Sequence, residues 1–139
     1  MDYHEILTNF QLDIKTVKDY IISHDCGKHL CEIQDEKGVH YPDHANVSAD
    51  YWLKNNGDPL VANLIRHDMF FHTCSADDLE RTFLSVGELA TLLLTALAEI
   101  HANAQIFGGL DSQSFKIKYK QIDRRGKSFC NKHIENAYK

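Results

Sequence analysis

The sequence predicts an all-α protein folded as a single compact helical bundle, and three observations carry that expectation. Helix-start chemistry recurs ahead of apolar runs, at Asp13, at Asp58-Pro59 and at Ser85-Val86-Gly87-Glu88. Leu89 to Ala98 is apolar nearly all round, the pattern of a buried central helix. Only two prolines, Pro42 and Pro59, interrupt 139 residues, with no low-complexity tract, no internal repeat and no convincing hairpin.

Taken in order, Asp13 caps a helix from Ile14 to about His24, on which Val17, Tyr20, Ile21 and His24 share a face by three- and four-residue spacing. Gly27 loosens or ends it. Residues 29–43 read as a loop with Asp35-Glu36-Lys37-Gly38 as its turn. A second helix spans about Ala45 to Lys54, anchored by Val47, Tyr51 and Trp52 and stopped at Asn55-Asn56-Gly57. Asp58-Pro59 opens a third, carrying Leu60, Val61, Leu64 and Ile65 as far as His67. Ser75 and Asp78 mark a short helix. The capping box Ser85–Glu88 starts the longest one, reaching about Ile106 before Gly108-Gly109. Beyond it, Phe115, Ile117 and Tyr119 alternate as in a strand, while the interleaved lysines fit an amphipathic terminal helix equally well.

The length suits one domain over residues 1–139, with a core at about 12–107 and a basic C-terminal extension at about 114–139. Net charge is −5, unevenly spread. Residues 114–139 hold eight Lys/Arg against Asp123 and Glu135, so the preceding 113 residues carry −11. A basic tail on an acidic body attracts phosphate-bearing ligands, and it also serves as an ordinary solvated helix face. Cys26, Cys31, Cys74 and Cys130 form no CxxC pair, which fits reduced thiols in a cytoplasmic protein. The first ten residues lack the basic start and apolar core of a signal peptide, and Leu89–Ala98 is too short to span a bilayer, so no membrane partner is expected. Trp52, Phe70 and Phe71 suit a subunit interface as readily as a core, which leaves a homo-oligomer open.

The chemistry concentrates at Ser23-His24-Asp25-Cys26-Gly27-Lys28. Adjacent histidine and aspartate at a helix end offer one divalent cation both an imidazole nitrogen and a carboxylate oxygen, a mixed set that favours transition metals over calcium. Gly27 removes a side chain, letting a substrate approach the backbone. Lys28, four residues after His24, sits one turn on and is suited to holding a phosphate. His40 and His44, Arg66-His67-Asp68, His72 and His101 follow, several of them where helices meet loops. Singly, each is more readily structural than a ligand.

With these residues in order, the chain resembles the HD superfamily of metal-dependent phosphohydrolases, nearest to the HD domain of bacterial CCA-adding tRNA nucleotidyltransferases. The likeness covers about residues 12–105. It rests on an apolar helix running into HDCGK, then GVHYPDHANVSADYW, VANLIRHDMFFHT and LLTALAEIHANAQ. The resemblance implies that His24 and Asp25 are paired metal ligands and that Lys28 contacts phosphate. It also implies that His44 and His67 line the site and, in some members, hold a second metal. Two positions depart from the family pattern. Its first metal histidine lies well upstream of the HD pair, where only His4 stands here. Its final aspartate has His101 in its place, with Glu99 two residues earlier.

The function implied is hydrolysis of a phosphomonoester or phosphodiester, on a nucleotide or RNA end. The cofactor would be a divalent cation: manganese, iron, cobalt, nickel, zinc or magnesium. Asp25, Lys28, His44 and His67 are the catalytic candidates, and His24, Asp25, His44, His67 and His101 the metal candidates. Lys28, Arg66, Arg124 and Arg125 are the substrate-binding candidates. The alternative is a degenerate HD domain that binds a nucleotide or RNA without catalysis, as the two departures would allow. A purely structural helical protein is the third possibility.

Overall fold

A computed structural model describes residues 3–134. The part of the expected basic extension beyond Ile134 lies outside the described residues. The fold is all-α apart from one small hairpin. None of the described helices is long and apolar enough to cross a membrane. Contact density divides the chain into two compact units, residues 13–68 and a second formed by residues up to Leu12 together with those from Met69 on. Each is described by itself.

The N-terminal helix Tyr3–Phe10, which belongs to the second unit, is α1, and the first unit opens with α2 (Ile14–Ser23). The Asp13 carboxylate accepts from the Thr16 backbone N–H, capping α2 as expected. The buried face of α2 is Thr16, Tyr20 and Ser23 rather than the one containing Ile21, which is 51% exposed. The hydrophobic pattern misdirects here because Thr16 and Ser23 turn inward with Tyr20.

A short 3₁₀ turn at Lys28–Leu30 follows, then an antiparallel hairpin, β1 (Ile33–Asp35) and β2 (Gly38–His40). This corrects the expected loop. All six strand residues are exposed, so the ribbon has no buried face and leaves no apolar–polar alternation to read. Its two-residue connection is closed by the Lys37 N–H donating to Asp35 Oδ1, with Gly38 at a φ of 120°.

Helix α3 (His44–Lys54) packs against α4 (Pro59–Arg66), and α4 packs against α2. Asp58 caps α4 by accepting from the Leu60 N–H, with Pro59 in the first turn. Val61, Ala62, Leu64 and Ile65 form its buried stripe.

In the second unit, α1 joins α5 (Phe70–Thr73), α6 (Ala76–Arg81), α7 (Val86–Ala102) and α8 (Gln113–Phe129). Helix α7 packs against α1, α5 and α8 and is buried over most of its length, as its apolar circumference predicts. The expected capping box of Ser85 with Glu88 forms, and the short helix at Ser75 opens with a second one, Ser75 with Asp78. Helix α7 stops at Ala102, four residues short of the expected Ile106, and a 3₁₀ turn covers Ala104–Phe107. The ambiguous 115–119 segment is helical: Phe115, Ile122, Gly126 and Phe129 make the inner face of α8. Phe71, 1% exposed, is a core residue.

The Arg125 guanidinium donates to the carbonyls of Phe71, His72 and Cys74, closing the C-terminal end of α5. Beside it, His72 has a buried Nδ1 without a hydrogen-bond partner among the described residues. Burial, reinforced by Lys118 and Arg125, pushes its imidazole down from 6.5 to about 4. The folded chain therefore holds this ring neutral while the unfolded chain takes up a proton near pH 6.5. The stability this contributes is complete above pH 6.5 and is lost as pH falls towards about 4. Urea titrations at pH 7 and pH 4.5 test this. The wild type should lose roughly 1–2 kcal/mol more than His72→Leu between the two, allowing for the ring's partial solvent contact. Equal losses would remove His72 from the acid response.

Candidate metal centre

Three side chains in the first unit converge. Asp25, His44 and Asp68 each offer a ligand atom, and those atoms lie within 4.8 Å of one another. The chain brings them together from three element ends. Asp25 lies just past the C-terminus of α2, His44 opens α3, and Asp68 lies just past α4. No other group of three or more potential ligands meets this spacing among the described residues.

Each position has a local cause. The turn after α2 is fastened to α3 at Gly27, whose N–H donates to Ser48 Oγ at 3.0 Å. A Cβ on Gly27 would meet Ser48 Cα at 2.8 Å and the Val47 carbonyl oxygen at 2.9 Å. The space expected to admit a substrate is thus filled by the backbone of α3. Gly27 serves close packing, which sets Asp25 against the start of α3. Asp43 adopts the left-handed conformation, φ 55°, which aspartate tolerates better than most residues, and His44 follows it as the first residue of α3. Asp68 is buried and accepts a hydrogen bond on Oδ1 from the hydroxyl of Tyr20, itself 2% exposed.

The histidines share one arrangement. The Nδ1 atoms of His24, His44, His67 and His101 face the carbonyls of Ile21, Tyr41, Asn63 and Leu97 at 2.7, 3.3, 2.8 and 2.7 Å. A carbonyl only accepts, so each Nδ1 carries the proton, and the neutral ring keeps its lone pair on Nε2. That is the fixed tautomer of a histidine that binds a cation through Nε2. His24 Nε2 is 3.4 Å from Asp25 Oδ2, beside the cluster.

Electrostatics favour a cation. Burial pushes the Asp68 carboxyl above its ordinary value, and neighbouring Asp25 adds to this. The Tyr20 hydrogen bond and the His24 and His44 rings oppose the shift. Two carboxylates and an imidazole in one small volume suit a divalent transition cation.

The other expected residues fall elsewhere. His24 and His67 are not among the three clustered ligands. His101 belongs to the second unit, where its ring stands edge-on to Phe115 at 5.2 Å and Tyr119 at 5.6 Å. Lys28 Nζ lies 4.4 Å over the Tyr41 ring, whose hydroxyl donates to Glu32. Arg66 ties α4 to α3, donating to Asn46 Oδ1 at 3.0 Å and Asp50 Oδ1 at 2.8 Å. Arg125 is committed to the α5 carbonyls, whereas Arg124 is exposed on α8.

Asp68 is the residue that sequence reasoning passed over. Its signal was present: His67-Asp68 ends an apolar helix, as His24-Asp25 does. No family model matches this chain, and no curated protein or solved structure matches it.

Proposed function

We propose that the chain is an HD-type, metal-dependent phosphohydrolase acting on a phosphomonoester or phosphodiester, with a nucleotide or RNA end as the substrate class. The observation that carries this reading is the convergence of Asp25, His44 and Asp68. It unites the aspartate of the HDCGK turn and the histidine opening the next helix with the aspartate of a second His-Asp pair.

A divalent cation held by these three residues would supply Lewis acidity toward a phosphoryl oxygen. The protein's own groups do the rest. Tyr20 fixes the orientation of Asp68, and the Tyr41 carbonyl fixes the tautomer of His44. His67, its Nδ1–H held by the Asn63 carbonyl, is assigned the proton relay: its Nε2 takes the proton of the attacking water and passes it to the leaving oxygen. Lys28 and Arg66 offset phosphate charge once substrate draws them from their present partners.

Those present partners favour a second reading, a domain that binds a nucleotide or RNA without cleaving it. Both cations nearest the cluster in sequence are already engaged, by Tyr41 and by Asn46 with Asp50.

The test is metal analysis of untagged protein, followed by hydrolysis of bis-p-nitrophenyl phosphate and p-nitrophenyl phosphate with Mn, Co, Ni and Mg. Turnover that falls ~100-fold or more in a folded Asp25→Ala variant supports hydrolysis. Nucleotide binding without turnover selects the second reading. Absence of both metal and phosphate ligands defeats both.

A further inference from the structure

Helix α8 carries six basic residues and one acid over seventeen positions, a net +5 on a chain whose total is −5. Its inner face is occupied by Phe115, Ile122, Gly126 and Phe129. Lys116, Lys120, Arg124 and Lys127, spaced by four, four and three residues, lie in a single row roughly opposite that face, and all four are exposed. At 1.5 Å per residue the row is about 16 Å long, with one positive charge per helical turn. Lys127 pairs with Asp123 at 3.0 Å, and Asp123 also accepts from Tyr3. Lys116, Lys120 and Arg124 form no ion pair among the described residues.

The surface beside the row is not flat. A shallow groove of about 520 Å³ runs along it, lined by Ile117, Lys120, Gln121, Asp123, Arg124 and Lys127. Arg124 also borders a second depression of about 470 Å³ that includes Ser75 and Ser128. Ile117, 56% exposed, adds an apolar contact and Gln121 a neutral amide within the first groove.

We infer that this face of α8 binds the phosphodiester backbone of a nucleic acid strand. A row of three unpaired cations, two of them lining an open groove and Lys116 one turn beyond it, matches a linear polyanion better than a compact one, which would call for convergent charges. A lipid surface fits less well, because the outward side of α8 presents Ile117 alone and no continuous apolar stripe to insert. The contacts are to backbone charge, so recognition is tolerant of sequence and sensitive to salt.

The experiment is fluorescence anisotropy of a labelled twelve-nucleotide oligouridylate titrated with the full chain in EDTA, from 50 to 300 mM KCl. The chelator keeps the outcome independent of the metal centre. Binding is expected, with log K falling against log[KCl] at a slope of about −2, from three phosphate contacts at roughly −0.7 each. Lys116→Gln/Lys120→Gln/Arg124→Gln should weaken binding ~10-fold or more at 100 mM KCl and bring the slope near zero. Glutamine is a good helix former, so α8 is retained, and circular dichroism checks that it is. Lys15→Gln/Lys18→Gln/Lys54→Gln, which alters three lysines of the other unit, should bind like the wild type. Oligothymidylate and a twelve-base-pair RNA duplex identify the strand type; a slope of about −2 with the first or nearer about −3 with the second, and the same loss in the α8 variant, support the inference. No binding at 50 mM KCl overturns it. So does equal binding by the α8 variant, or association with phosphatidylserine vesicles but with none of the oligonucleotides.

Discussion

Asp68→Asn is expected to remove cation binding while leaving the metal-free protein intact. Asparagine keeps the shape of the side chain and an oxygen that accepts from Tyr20, but it removes one of the two negative charges in the cluster. Loss of a ligand exceeds the 10–100-fold cost typical of outer-shell changes, so Co or Mn affinity should fall by ~100-fold or more. Stability in EDTA should not fall. Burial already opposes ionisation of Asp68, so a neutral isostere relieves a desolvated charge. Isothermal titration with Co, set beside thermal melts in EDTA, separates the two effects. Unchanged Co affinity would take Asp68 out of the site. A large drop in melting temperature without metal would make it a structural residue.

The second large effect is expected at Gly27. A methyl group there has no empty space to enter, because Cα of Ser48 and the carbonyl of Val47 already occupy it. Backbone yields less readily than a side-chain tip, so Gly27→Ala should cost about 3 kcal/mol. It should also shift α3 away from the turn that carries Asp25. Metal affinity should then fall although no ligand has changed. Ser48→Ala removes only the hydrogen bond to the Gly27 N–H, and its cost should be nearer 1 kcal/mol. Similar effects of the two substitutions in urea titrations would show that packing at Gly27 is not what fixes the turn.

These two residues mark where the sequence was legible and where it was not. Helix starts could be read because capping is local chemistry: Asp13, Asp58 and the two Ser capping boxes satisfy N–H groups two or three residues away. The clustering of Asp25 with His44 agrees with the order of motifs along the chain. Asp68 could not be singled out locally, since a polar residue just past an apolar helix is commonplace, and only packing against Tyr20 distinguishes it. Gly27 was misread for a related reason. An absent side chain suggests open space, yet whether solvent or a neighbouring helix fills it is decided by tertiary structure. Ile21 shows the reverse: an apolar residue in periodic register that solvent reaches because Thr16 and Ser23 take the inner positions.

The two-stranded ribbon between Asp25 and His44 has a consequence for how such a protein can diversify. It joins two candidate ligands that are distant along the chain, yet it contributes nothing to the hydrophobic interior, since every strand residue faces water. Lengthening or shortening a surface connection changes loop-closure entropy only slowly. The arm can therefore acquire or lose residues while Gly27 and Asp43 still hold its two roots in place. The spacing of the three clustered side chains and the reach of the arm beside them are therefore separately adjustable.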